Sequence, residues 1–384
     1  MNRKKVVILG STGSIGRSAL DVIGQNGDRL EVLALTAHSS VELLRRQIDI
    51  FRPEYVVVTD PRAASELKAK LDPEKTRLLD SDTGLDQLVA LEEADIILNA
   101  IVGAAGLKAS LGALVAGKRL ALANKESLVI GGELLREVRA RSGAEIIPVD
   151  SEHSAIWQAL FSGRMTEVKR IILTASGGPF RDLPPAEFEN ITRDDALRHP
   201  TWNMGPKITV DSATMMNKGL EIIEAMHLFA VPVDMIDVVI HPQSIIHSLV
   251  EFVDSSIVAQ LSEPDMRLPI RYALFYPERI PGANGRLDLF DIDQLTFAKP
   301  DYGKFPLIEL AYDVARIGGT APTALNAANE IAVEAFLDNR LRFSQIPEVI
   351  TRVVEQHRSV TGPSLDDILA ADREARYKAK DLVG

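Results

Sequence analysis

The chain contains no cysteine. Thiol nucleophiles, disulfides, thiolate-bound zinc and iron–sulfur clusters are therefore excluded together, and a disulfide-free chain fits a cytoplasmic setting. It also lacks a basic surplus, with 43 Lys and Arg against 54 Asp and Glu and a formal net charge of −11. That balance excludes non-specific nucleic-acid binding but leaves room for a local basic pocket holding one small anion. No apolar run approaches the length of a membrane span, so no membrane partner is expected. The start, Met-Asn-Arg-Lys-Lys-Val-Val-Ile-Leu-Gly, has basic residues but too short an apolar run for a signal peptide. A cytoplasmic location is the expectation. Internal repeats and low-complexity tracts are absent. What is there, 46% hydrophobic and 25% charged residues, is the composition of a folded globular protein. At 384 residues it exceeds one typical core, so two or three domains are expected.

Apolar, β-branched runs occur at Val6–Leu9, Leu30–Leu35, Tyr55–Val58, Asp95–Ala100, Arg119–Ala123 and Glu145–Val149, with amphipathic segments such as Ser40–Ile50 and Leu107–Ala116 between them. This alternation predicts a parallel sheet with helices on both faces, a doubly wound, Rossmann-like α/β domain over 1–149. Four further runs, Arg170–Thr174, Val238–Ile240, Ile245–Phe252 and Ser256–Leu261, predict an α+β domain over 150–284. It carries a long Pro- and Gly-bearing loop from Ser176 to Gly205, of the length that is usually functional or mobile. Residues 285–311 read as a linker. Helical periodicity then runs through Leu307–Ile317, Pro322–Leu337, Ile346–Gln356 and Leu365–Ala379, which predicts a C-terminal helical bundle over 312–384.

The run Gly10-Ser11-Thr12-Gly13-Ser14-Ile15-Gly16 follows the first strand and opens an amphipathic helix. Glycines there let the backbone approach a pyrophosphate seated on a helix N-terminus, although a generic tight βα turn needs glycine too. NAD sites place a carboxylate at the end of the second strand, on the ribose 2′-hydroxyl. Here that strand runs into His38-Ser39-Ser40, without a carboxylate, which favours NADPH and makes His38, Ser39 and Ser40 candidates for its 2′-phosphate.

Asp150 and Glu152 stand two positions apart where an apolar run ends. In extended backbone they would point the same way, and convergent carboxylates suit a hard divalent cation. A cap on a helix starting near Ala155 is the plainer alternative for Asp150 or Ser151. In the run Asp211–Glu221, a helix beginning near Ala213 would put Asn217, Lys218 and Glu221 on one face. On an isolated helix Lys218 and Glu221 would be only a weak surface pair. Trp202, in a Pro/Gly-flanked loop, is either a core aromatic or part of a lid that closes on a ligand.

With these runs stand Ala123-Asn124-Lys125-Glu126-Ser127, Pro148-Val149-Asp150-Ser151-Glu152-His153-Ser154, Thr174-Ala175-Ser176-Gly177-Gly178-Pro179-Phe180, His199–Lys207 and His241-Pro242-Gln243-Ser244. Together, in this order and over nearly the whole chain, they resemble the 1-deoxy-D-xylulose 5-phosphate reductoisomerase family of the non-mevalonate isoprenoid pathway. The resemblance implies that Asp150, Glu152 and Glu221 bind Mg²⁺, Mn²⁺ or Co²⁺. Ser176, Ser212, Asn217 and Lys218 would hold the substrate phosphate. Ser151, Lys125 and His199 would contact the rest of the sugar phosphate, and Trp202 and Met204 would belong to a flexible flap. Thr12, Gly13, Ser14, Ile15, Asn124, Glu126 and Gly205 would contact NADPH. The chain departs from the family at His38-Ser39-Ser40, where members often carry a Gly-Lys-Asn-like run. The resemblance also implies a homodimer and inhibition by phosphonate hydroxamates of the fosmidomycin type. Two rivals share the cofactor loop: a simple NADPH-dependent aldehyde dehydrogenase or reductase without isomerisation, which needs no metal, and a non-catalytic NADPH sensor.

Overall fold

A computed structural model describes residues 3–199, 201, 202, 204–283 and 285–384. The chain divides into two compact units. One comprises Met1–Asn124, Leu135–Ser154 and Asp265–Asn284, the other Lys125–Leu134, Ala155–Pro264 and Gly285–Gly384.

The first unit is built on a parallel sheet of β1 (Lys4–Leu9), β2 (Leu30–Ala37), β3 (Tyr55–Val58), β4 (Arg77–Leu78), β5 (Ile96–Asn99), β6 (Arg119–Leu122) and β7 (Ile146–Pro148). Their order is β4-β3-β2-β1-β5-β6-β7. The apolar runs are buried along their length, as strands covered on both faces require, and Val6 to Leu9 are wholly inaccessible. The chain turns to opposite sides of β1, so the carboxyl ends of β1 and β5 flank the switch point where such folds bind ligands. All six expected strands are present. The seventh, β4, has two residues, too few to leave an apolar run in the sequence. The helix Arg267–Phe275 also belongs to this unit, although by chain order it falls within 150–284. It packs on the helix Ser14–Gly24, and Arg267 pairs with Asp21 at 3.2 Å.

The second unit holds a mixed sheet of β8 (Val168–Ala175), β9 (Ile236–Ile240), β10 (Ile246–Phe252) and β11 (Ile257–Leu261), in the order β11-β10-β8-β9. β8 runs parallel to β9 and antiparallel to β10. The stretch after β8 is not featureless. It contains a 3₁₀ turn at Pro185–Asn190 and a short helix at Arg193–Ala196, which Thr192 and Asp195 cap reciprocally. Phe180 and Phe188 pack on Phe343 at ring separations of 5.2 and 5.7 Å, which ties this part of the loop to the helical region.

The single helix expected from Ala213 is two helices, Pro206–Ala213 and Met216–Phe229. Thr214 makes the break. Its hydroxyl donates to the Asp211 carbonyl at 3.2 Å and accepts from the Met216 N–H, competing with helical bonds, and Met215 turns to φ 61°. Ser212 therefore ends one helix while Asn217, Lys218 and Glu221 begin the next.

Four helices, Pro306–Ile317, Ala321–Leu337, Ile346–Glu355 and Leu365–Val383, complete this unit close to the expected bounds. No helix among the described residues is long and apolar enough to cross a membrane. The helix Met216–Phe229 is seated by Gly219. A Cβ there would lie 2.8 Å from Ala311 Cβ and 3.2 Å from the Leu307 carbonyl. Gly219→Val should destabilise the fold by about 1–3 kcal/mol through overpacking, measured as the urea midpoint at unchanged slope. Ala311→Gly in the same chain should recover part of that loss.

Candidate active site

The first unit contributes the glycine turn. Gly10 takes φ 82°, and a Cβ on it would meet the Ala100 carbonyl at 2.7 Å. A Cβ on Gly16 would lie 2.4 Å from the Gly10 carbonyl, so the helix can begin this close only with glycine there. Gly13 caps the helix Ser14–Gly24 without any side-chain bond, and no acidic residue occupies the first turn. The helix start thus presents backbone N–H groups and the positive end of its dipole to an anion, with Thr12, Gly13, Ser14 and Ile15 at the rim. Ser11 is not part of that rim. It is buried, and its hydroxyl donates to Gln47 Oε1 at 2.7 Å.

Beside the turn, Thr36 Oγ1 accepts from the Gly10 N–H at 2.8 Å, which locks the end of β2 to the turn. His38, Ser39 and Ser40 follow, all exposed. His38 Nδ1 lies 2.9 Å from Thr59 Oγ1. Asp60, at the end of β3, is committed to capping the helix Pro61–Lys68 through the Ala63 N–H. Asn124 is buried, and its amide donates to the carbonyls of Ile101 and Gly103 at 2.8 and 2.9 Å, holding the loop after β5. Asn99 braces the same loop through the Gly106 carbonyl at 2.9 Å. The sequence reading missed Asn99, whose only signal is a polar residue at the end of an apolar strand.

Asp150 and Glu152 lie otherwise than extended backbone would place them. β7 ends at Pro148 and a helix begins at Ser151, so Glu152 stands in a first helical turn. Asp150 Oδ1 accepts the Glu152 N–H at 3.3 Å and lies 3.4 Å from His153 Nδ1. The cap alternative is therefore realised. A cap uses part of a carboxylate and leaves lone pairs over. The Ser151 hydroxyl donates to Glu152 Oε2.

The second unit gathers a basic and amide cluster on one carboxylate. Glu221 is 1% exposed. Asn217 Nδ2 donates to its Oε1 at 2.5 Å, Lys125 Nζ lies 3.3 Å from the same oxygen, and Lys218 Nζ pairs with Oε2. Lys125 also donates to Asn217 Oδ1 at 2.8 Å. The three helix-face residues expected together are together, and Lys125 joins them from the start of the helix Lys125–Ser142. Such buried pairing is far from the weak exposed pair that Lys218 and Glu221 would form alone.

A second cluster centres on His199. Its Nε2 lies 3.2 Å from Ser176 Oγ and 3.1 Å from Ser212 Oγ. Gly178 allows the approach, since a Cβ there would lie 2.5 Å from the Ser212 carbonyl. His199 Nδ1 accepts the N–H groups of Thr201 and Trp202 at 3.1 and 2.9 Å. The ring proton of the neutral form is thereby assigned to Nε2, which donates to a serine hydroxyl and leaves that hydroxyl's own proton for an anion. Trp202 packs at 6.3 Å from the His247 ring. Met204 and Gly205 follow and lead into the helix Pro206–Ala213; Pro200 and Asn203 of this run lie outside the described residues. Glu126 pairs with Lys207 at 3.4 Å, and Lys207 with Asp211 at 2.6 Å. Neither Lys207 nor Asp211 was singled out in the sequence, though their i, i+4 spacing is a signal.

Fold and clusters define a class: a protein with a dinucleotide-type turn in one unit and, in the other, a buried set of cations, amide and hydroxyls fit for a phosphorylated small molecule. Three family models cover most of the chain. The 1-deoxy-D-xylulose 5-phosphate reductoisomerase model matches residues 6–132. The 1-deoxy-D-xylulose 5-phosphate reductoisomerase C-terminal domain matches 146–229, and the DXP reductoisomerase C-terminal domain matches 261–378. The chain is 50% identical over 382 residues to the 1-deoxy-D-xylulose 5-phosphate reductoisomerase of Halothermothrix orenii, spanning 100% of this chain and 99% of the relative. It is 51% identical over 384 residues to that of Thermomicrobium roseum, spanning 100% and 98%. A crystal structure of DOX-P reductoisomerase in complex with NADPH, fosmidomycin and magnesium superposes with a TM-score of 0.95 at 41% identity, over 99% of this chain and 98% of the other. The Zymomonas mobilis enzyme in complex with NADPH gives 0.92 at 42%, over 100% and 99%. The chain belongs to the 1-deoxy-D-xylulose 5-phosphate reductoisomerase family.

Burial holds His199 below its ordinary value of 6.5, which favours the neutral ring. A lowered pKa means that the unfolded chain binds the proton more readily, so the stabilisation is complete above about pH 6.5 and is lost as pH falls below it. Thermal midpoints measured from pH 8 to pH 5 should fall more steeply for the unsubstituted chain than for His199→Asn. Parallel curves would remove His199 as the cause.

Proposed function

We propose that this chain converts 1-deoxy-D-xylulose 5-phosphate to 2-C-methyl-D-erythritol 4-phosphate, with NADPH and a divalent metal, in the non-mevalonate isoprenoid pathway. The observation that carries the reading is the convergence of Lys125, Asn217 and Lys218 on buried Glu221, in a chain that also has the open glycine turn. Along the chain, 1–149 would serve NADPH, 150–284 metal and substrate, 285–311 connection, and 312–384 helical support.

The donor chemistry fits both cofactors. An uncapped helix start with no carboxylate in its first turn suits a pyrophosphate, and exposed His38, Ser39 and Ser40 suit a 2′-phosphate. Asp150, Glu152 and Glu221 offer only carboxylate oxygens, the donors that hard cations such as Mg²⁺ or Mn²⁺ take. When bound, the metal supplies Lewis-acid polarisation and a template for the substrate's adjacent oxygens, and NADPH supplies hydride.

The chain's own groups do the rest. Lys218 and Asn217, with Ser176 and Ser212 set by His199, hold the phosphate, whose binding energy serves reacting carbons remote from it. Lys125 places positive charge where oxygen gains electrons as the carbon skeleton splits and rejoins. Ser151 and His199 orient the sugar backbone. Closure of the segment bearing Trp202 and Met204 keeps water from the aldehyde. Asn124, Glu126 and Gly205 complete the cofactor side. The family resemblance supports a homodimer in the cytoplasm as the working state, and competition between a fosmidomycin-type phosphonate hydroxamate and substrate.

The deciding assay follows NADPH absorbance with deoxyxylulose phosphate, with Mg²⁺ or Mn²⁺ and with EDTA. Metal-dependent loss is expected; loss that survives EDTA would point to a simple reductase. In that assay Glu221→Gln should lower turnover by about two orders of magnitude or more while NADPH affinity stays the same. Lys218→Ala should raise the substrate KM about tenfold or more, the worth of one charge-assisted bond. An unchanged KM would remove Lys218 from the phosphate site.

A further inference from the structure

Ser212, one of the hydroxyls assigned to the phosphate, stands in the last turn of the helix Pro206–Ala213. Among the described residues its hydroxyl meets only His199, at 3.1 Å, so its own side chain does little to place it. Val210 and Ala213 seat the helix by apolar burial, which is not directional. Direction comes from the residue before Ser212. Successive residues of an α-helix point about 100° apart. Asp211 accordingly turns into the interior, 1% exposed, while Ser212 stays half-buried against His199.

The two Asp211 oxygens are used differently. Oδ2 pairs with Lys207 at 2.6 Å, but Lys207 stands on the same helix, four residues earlier, so this pair cannot set where the helix lies. Lys207 also reaches Glu126, at the longer distance of 3.4 Å. Oδ1 accepts Asn329 Nδ2 at 2.9 Å, and Asn329 belongs to another element, the helix Ala321–Leu337. A carboxylate oxygen accepts from the amide nitrogen and not from its oxygen, which fixes the orientation of the amide. Asn329 is wholly buried, and its Oδ1 meets no hydrogen-bond donor among the described residues. A buried acceptor without a donor costs stability, a cost that alanine at this position would avoid. What the amide supplies is therefore its nitrogen, and that nitrogen goes to Asp211.

We infer that Asn329 is a positioning residue of the phosphate site: it holds Asp211, and through the shared backbone it sets Ser212 against His199. That the anion bound there is the substrate's phosphate rests on the functional reading above. The helix Ala321–Leu337, to which the chemistry assigns no group, thus orients a serine on another helix through one hydrogen bond. Loss of that bond leaves a buried Asp211 oxygen without its donor, and a small rotation of the helix Pro206–Ala213 is the simplest relief. Ser212 would move with it. A displacement of about 0.5 Å takes a contact of 3.1 Å out of hydrogen-bond range.

Asn326 provides a matched control for the test. It is as buried as Asn329, one turn earlier on the same helix, and its Oδ1 likewise lacks a donor among the described residues, but its nitrogen goes to Glu330 at 2.9 Å. In the full chain, Asn329→Ala should raise the KM for deoxyxylulose phosphate about fivefold with kcat within about twofold, and Asn326→Ala should leave KM unchanged. In a Ser212→Ala background, Asn329→Ala should add less than about twofold to KM, because both changes act on one contact. Asn329→Ser, which keeps a shorter donor, should show the same pattern in smaller measure, and it decides the matter if Asn329→Ala does not fold. A second readout needs no ligand. The imidazole nitrogen-15 signal of His199, identified by its loss in His199→Asn, should move in Asn329→Ala and stay in place in Asn326→Ala. An unchanged KM, full additivity with Ser212→Ala, an unmoved His199 signal, or equal effects of the two asparagine variants overturns the inference. Absence of turnover in the unsubstituted chain would instead count against the functional reading, and the His199 signal would still decide the positioning.

Discussion

The constraint on which the second unit depends is the burial of Glu221. A carboxylate 1% exposed needs partners, and Lys125, Asn217 and Lys218 supply them. Taking away one partner of such a pair costs about 3–5 kcal/mol, because the other charge is left unpaired. That cost dictates backbone. The helix Met216–Phe229 must start where Asn217, Lys218 and Glu221 share a face, and Gly219 lets it sit close enough to the helix Pro306–Ile317 to keep that face inward. The helix Lys125–Ser142 must begin at Lys125 and then turns aside at Gly131, where its backbone leaves helical geometry (φ −127°, ψ 20°). A Thr323 hydroxyl from the helix Ala321–Leu337 takes up the Ile130 carbonyl there, at 3.2 Å.

The same economy explains the first unit. Parallel strands bury both faces, so their polar chemistry is confined to the carboxyl ends, and the glycine turn lies at one of them. Thr36, Gln47, Asn99 and Asn124 satisfy the backbone and hydroxyl groups around that end. The helix start remains without a side-chain cap, ready for an anion.

Much of this was legible in the sequence because its periodicities are clean. The six apolar runs and the four C-terminal amphipathic segments lie where strands and helices stand. Elements that escaped did so for local reasons. β4 is too short to carry a pattern. The break at Thr214 depends on one hydroxyl bonding both ways, which composition does not reveal. The helix Arg267–Phe275 was not among the expected elements; its residues from Pro269 onward are all buried, so no polar face marks it in the sequence. Of the site, the face formed by Asn217, Lys218 and Glu221 followed from spacing alone. The convergence of Lys125 upon it, across 92 residues, did not. Asp150 was legible both as half of a carboxylate pair and as a cap, but the helix expected near Ala155 starts at Ser151, which puts Glu152 in its first turn. Lys207 and Asp211 passed unnoticed since a Lys–Asp spacing of four is ordinary until the Asp211 side chain is known to be buried.

On the proposed function, Glu221 serves a divalent cation as well as its two lysines. The most direct test is Mn²⁺ binding read from the free-ion electron paramagnetic resonance signal, with NADPH present, comparing the unsubstituted chain with Glu221→Gln. One site is expected in the unsubstituted chain, with affinity at least about tenfold weaker in Glu221→Gln. Equal affinity in the two would contradict the account and leave Glu221 as a partner for lysines alone.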